Sequence, residues 1–141
     1  MKTKYDSVLK VKKQHLDNAE NELNKAKQRQ IKHQQAYELA DKESKSLSLP
    51  DSGNVQALKT RLSMMDIARE VRQRAKEKVE LSAKEINHYQ FLYKKAYLDY
   101  EKIKYLKEEE VKKQIKQIKQ KEEKFIDELA VSRYFYGEKD V

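Results

Sequence analysis

No cysteine and no tryptophan occur among these 141 residues, proline occurs once and glycine twice. Without cysteine there can be no disulfide framework, no thiolate zinc site and no thiol nucleophile. So little glycine and proline leaves the chain without the punctuation that sheets and tight turns need, and long helices are the architecture that remains. A run of the about 18 apolar residues that a membrane-spanning helix requires is also missing, and Met1-Lys2-Thr3-Lys4 leads into no apolar signal core. The expectation is a soluble, cytoplasmic protein with a single domain over residues 1–141.

What the chain has is charge. Asp, Glu, Lys and Arg make up 40% of it, and the mean hydropathy is -1.09. The 32 basic and 24 acidic side chains leave a net charge of +8, which raises the question of an anionic partner. The excess is spread through residues 1–103 and nearly vanishes from 104–141. A nucleic-acid binder concentrates its cations on one arm or face with base-reading groups among them, so a basic helix pair binding DNA or RNA ranks last among the readings.

The order in the chain is heptad order. Leu9, Leu16, Leu23, Gln30 and Tyr37 recur every seven residues, with Ala19, Ala26, His33, Ala40 and Leu47 as the companion row. Thr3 and Asp6 have the spacing of a capping box at the start of this helix. Leu47 to Asn54 contains the one proline and the first glycine among short polar side chains, and reads as a turn. Beyond it a second seam runs through Leu58, Met65, Arg72, Val79, Ile86, Tyr93 and Tyr100. The prediction is therefore all-α: two long helices, about 4–46 and 55–136, folded by the 47–54 turn into an antiparallel coiled-coil hairpin.

A turn centred on Ser52 and Gly53 pairs residues whose numbers add to about 105. Ala26 then faces Val79, Ala40 faces Met65 and Leu47 faces Leu58, so that large meets small along the seam. The same register sets His33 opposite Arg72 with Gln30 one turn away. That makes a polar layer, whose role is to fix register, since no carboxylate shares the seam with the histidine.

The second helix is the longer one. Everything past about Lys104 should overhang the first helix as a rod of roughly 50 Å at 1.5 Å per residue. A solvated single helix can be polar all round, yet this one carries Val111, Ile115, Ile118, Phe125, Ile126 and Leu129 on one renewed stripe, flanked by Lys112, Lys116 and Lys119. An apolar stripe without a partner in its own chain marks a binding surface. Phe91 and Tyr97 lie off the strict seam within an aromatic cluster, which makes them candidates for a second docking patch.

Catalysis finds no footing. There is no glycine-rich phosphate loop and no HExxH, and His15, His33 and His88 have no second histidine at ligand spacing, so no metal or cofactor is expected. Acid pairs such as Glu122-Glu123 lie on an open helix with nothing to enclose a substrate. The chain reads as a non-enzyme.

The two ends resemble a known family. Lys4-Tyr5-Asp6-Ser7-Val8-Leu9-Lys10 is similar to the opening aromatic-x-x-Val-Leu-x-basic segment of the flagellar type III export protein FliJ, and Glu123-Lys124-Phe125-Ile126-Asp127-Glu128-Leu129-Ala130 resembles that family's C-terminal segment. The resemblance implies a stalk-like coiled coil inserted in the pore of the hexameric export ATPase. It also implies contacts with the cytoplasmic domain of the export gate and with export chaperones, and a place at the cytoplasmic face of the inner membrane without insertion into it. The overhang stripe with Lys112, Lys116 and Lys119 would serve the ATPase, and Phe91 with Tyr97 the gate or a chaperone. The related virulence-type secretion stalk and a generic coiled-coil spacer or scaffold are the alternatives.

Overall fold

The computed structural model describes residues 1–50 and 53–139, the side chains of 138 and 139 excepted; Asp51 and Ser52, in the expected turn, lie outside the described residues. Two helices account for nearly all of them, α1 over Asp6–Ser46 and α2 over Val55–Lys139, and no strand occurs among the described residues. The all-α antiparallel hairpin with a longer second helix is the fold. Its helices form because Lys, Glu, Gln, Ala and Leu dominate both segments and neither is interrupted by proline.

The helix ends have local causes. Thr3 Oγ1 accepts from the Tyr5 amide at 3.2 Å, and the Asp6 carboxylate accepts from the Thr3 amide at 3.3 Å, the reciprocal box expected from their spacing. At the far end of α1 the Ser46 hydroxyl donates to the Glu43 carbonyl at 2.7 Å, and Pro50 bars continuation. Gly53 has a φ of 147°, a conformation that side-chain-bearing residues rarely adopt. The next residue, Asn54, caps α2 by accepting the Ala57 amide at 2.8 Å. At its other end α2 runs to Lys139, so Gly137 is accommodated inside the helix instead of stopping it.

The chain divides into two compact units, His15–Tyr97 and the residues 1–14 with 98–141. In the first, Leu23, Ala26 and Ile86 form the buried cluster, with Tyr89 and Tyr93 packed against it. Ala26 is completely buried. Buried Ser82 bonds back to the Val79 carbonyl at 2.7 Å, so its hydroxyl is satisfied. Ala40 lies beside Val71, and Leu47 lines the same groove as Met64.

These neighbours correct the expected register. Paired residue numbers add to about 112, one heptad above the expectation, so Ala26 meets Ile86 and not Val79. Leu47 likewise lies by Met64, while Leu58 is 40% exposed. The offset shows at the start of α2, which begins at Val55 and runs about nine residues, some 13 Å, before it meets the end of α1. Val55 to Thr60 are accordingly exposed throughout.

In the second unit, α1 begins beside the middle of α2. The Lys107 ammonium bonds the Asp6 carboxylate at 3.1 Å, and the Lys13 ammonium lies 5.6 Å from the centre of the Tyr100 ring. Half-buried positions continue along α2 through Glu110, Val111 and Gln114, and from Ile115 to Gly137 every residue is exposed. Uncovered helix thus starts near Ile115, about ten residues later than the expected Lys104, which follows from the one-heptad shift plus cover by residues 1–5.

Candidate functional site

The stripe on the uncovered part of α2 is built by heptad spacing alone. Ile115, Ile118, Phe125 and Leu129 alternate in steps that keep them on one face of the helix. They are exposed in the structure, Phe125 at 60% and Leu129 at 45%, and Ile126 at 61% lies on the edge of the same face. Val111 differs. It is half-buried and belongs to the covered stretch, so it borders the stripe without being fully open. Lys112, Lys116 and Lys119 are exposed beside the stripe, and the Lys112 ammonium reaches Glu109 at 3.5 Å on its own helix.

The exposed face is longer than the sequence reading placed it. Val131, Tyr134, Phe135 and Tyr136 are also exposed, the last three at about two thirds of their surface. The signal was available: Tyr136 stands seven residues after Leu129 and continues its row.

Phe91 and Tyr97 take different positions. Phe91 is 65% exposed, whereas Tyr97 stacks on Tyr93 with ring centres 6.5 Å apart and planes at 26°. Tyr97 therefore presents one face and gives the other to its neighbour.

The polar layer expected from Gln30, His33 and Arg72 does not assemble. With the register shifted, Arg72 Nε donates to Asp41 Oδ1 at 2.6 Å and its terminal nitrogen to the Tyr37 hydroxyl at 3.3 Å, while the guanidinium lies 5.8 Å from the Tyr37 ring centre. Asp41 is also bonded by Lys45 at 2.9 Å. The Lys45 and Arg72 cations hold the Asp41 carboxyl below its ordinary range, and Asp41 in turn raises the Arg72 guanidinium. Further along, Arg29 pairs with Glu85 across the two helices, which raises the Arg29 guanidinium. His33 lines a separate groove with Ala36, Ala75, Arg74 and Lys78. Gln30 borders Ile31 and Gln34 on α1. In this unit the two helices are thus bridged by the Arg72–Asp41 and Arg29–Glu85 ion pairs, while His33 and Gln30 lie apart from Arg72.

A groove of about 400 Å³ near the connector was not anticipated; Met64, Ile67 and Val71 form its α2 wall and Ala40 and Leu47 part of the other. Met64, Ile67 and Val71 are spaced to share a helix face beside the seam row, which is the signal that the strict seven-residue count passed over. Among the described residues no group of three potential metal ligands comes together. No described helix is long and apolar enough to cross a membrane.

The geometry defines a class: a two-helix coiled coil with an apolar, lysine-flanked face exposed on its longer helix. The family model described as Flagellar FliJ protein matches residues 1–139, and the chain belongs to that family. It is thereby a component of flagellar protein export, in a family that is not catalytic. No curated protein and no solved structure matches the chain.

Proposed function

We propose that this protein is the central stalk of the flagellar export ATPase, inserting the α2 tip into the pore of the hexameric ring and linking the ring to the export gate and to substrate chaperones. The observation that carries this reading is the face beyond Gln114, where Ile115, Ile118, Phe125, Ile126 and Leu129 are all exposed on α2. Membership of the flagellar family supplies the apparatus in which such a face has a use. Lys112, Lys116 and Lys119 give the tip a basic flank that suits acidic groups lining a pore and would speed its docking. Phe91, with the open face of Tyr97, is the proposed contact for the gate's cytoplasmic domain or a chaperone. The protein acts at the cytoplasmic face of the inner membrane, held there by these partners, and needs no cofactor of its own.

The test is stimulation of the export ATPase by Phe125→Ala combined with Leu129→Ala. Both side chains are exposed, so the variant should melt as the parent does while losing on the order of 2 to 4 kcal/mol of ring binding, the range of interface anchors. Full stimulation by this variant would remove the tip from the pore and leave the spacer reading standing. Phe91→Ala should spare stimulation and weaken a gate or chaperone complex instead.

A further inference from the structure

Two grooves adjoin on one flank of the hairpin. The one near the connector, of about 400 Å³, and a second of about 280 Å³ share Ala40 and Val71, so they make one channel between α1 and α2 that runs from Leu47 and Met64 to His33 and Lys78. From Met64 to Lys78 it is about 21 Å long at 1.5 Å per residue. Its floor is alanine, with Ala36, Ala40, Ala68 and Ala75 along the two helices. Its α2 wall is apolar and open, Met64 being 46% exposed, Val71 49% and Ile67 61%. A flat partner would rest on the rims and leave that floor empty, whereas a helix with large apolar side chains at steps of three and four would fill it. The channel also carries opposite charge at its two ends. Arg74 and Lys78 line it beside His33, and Glu43 lines it near the connector. The Arg74 guanidinium is held only by Glu70 of its own helix, at 3.9 Å and with both side chains about three-quarters exposed, so an incoming carboxylate can compete for it. Glu70 and Glu77 each precede a lining residue by one position, about 100° further round toward the outside, and leave the channel itself basic at this end.

We propose that this channel docks an amphipathic helix of a partner protein, which lays apolar anchors at i, i+3 or i+4 and i+7 on the alanine floor, carboxylates of its first turn over Arg74 and Lys78, and a basic side chain of its last turn near Glu43. Acids early and bases late suit a helix's own dipole, so this charge order sets the partner helix parallel to α1. Three helices then pack where two leave a trough, and the open wall of Met64, Ile67 and Val71 is covered. The surface is separate from both contacts proposed above. The exposed stripe begins at Ile115, and Phe91 lies about 160° round α2 from Val71 by helical count. The inference therefore goes beyond the ATPase reading and does not rest on it.

The probe is a fluorescein-labelled synthetic helix of about four turns, with glutamates in its first turn, leucines at the anchor positions, lysines in its last turn and alanine elsewhere. Fluorescence anisotropy with the full chain should show saturable binding. Arg74→Glu with Lys78→Glu should weaken it roughly tenfold, and a second peptide with the two charged ends exchanged should prefer this variant to the parent. Ile67→Ser with Val71→Ser changes two exposed side chains, so the chain should melt as the parent does while binding is lost. Location is read with single cysteines, which this cysteine-free chain permits. A peptide carrying cysteine at its central anchor should form a disulfide with Ile67→Cys and not with Phe125→Cys. No saturable binding, equal affinity of the parent for the two peptides, or a peptide that joins Phe125→Cys in preference to Ile67→Cys would each overturn the proposal, the last by placing helix binding on the exposed stripe.

Discussion

Arg72 occupies a seam position by heptad count, yet its charged head bonds Asp41 and Tyr37 on α1. Periodicity shows that a residue lies on the seam but leaves its partner undetermined, because every register that differs by seven residues gives the same pattern. That is why Arg72 was legible as a polar interruption and its true partner was not. The pairing has a pH signature. Asp41 has its pKa lowered, first by Lys45 and then by Arg72, so its contribution to stability is present above its ordinary value of 3.8 and is lost as pH falls through the folded value. Asp6, lowered by Lys107 and Thr3, acts with the same sign in its own unit. Circular dichroism melts should therefore show Asp41→Asn less stable than the parent at neutral pH and indistinguishable from it at the acid end of the titration. A difference that survived in acid would mean that the side chain acts through packing and not through charge.

At the level of the elements, the two helices, the Thr3 cap and the break near Pro50 were all legible, because each rests on local chemistry that a sequence displays directly. The register was not. It depends on how far α2 runs from Val55 before it meets the end of α1, and a connector of one composition is compatible with a symmetric turn or an offset one. Ala26 identifies the outcome, being wholly buried against Ile86 and not placed opposite Val79. A chain with Ala26→Cys and Ile86→Cys should be joined internally by a short bis-maleimide, and one with Ala26→Cys and Val79→Cys should join far less, by mass and by gel mobility after proteolysis between the helices. Equal efficiency would mean that the seam slips by a heptad in solution, which the Arg29–Glu85 and Arg72–Asp41 crossings oppose.

For the whole molecule, the informative contrast is between the part of α2 that has buried and half-buried positions and the exposed part that begins at Ile115. The stripe was legible as a second apolar row after the first seam ended, because seven-residue spacing survives whether or not anything covers it. Where cover ends was misjudged by about ten residues, since that boundary inherits the register and adds the reach of residues 1–5. The structure gives the boundary a sharp test. From Ile115 to Gly137 no residue is even half-buried, so this stretch contributes almost nothing to the packing of the rest. A chain ending at Gln114 retains the Leu23–Ala26–Ile86 cluster and the Asp6–Lys107, Arg29–Glu85 and Arg72–Asp41 ion pairs. Its midpoint of thermal unfolding should lie within a few degrees of the parent's, as surface changes remote from packing do. The same truncation should abolish stimulation of the export ATPase. Unfolding at a much lower temperature would show that the stripe folds back onto its own chain in solution, and an internally satisfied stripe would not serve a ring.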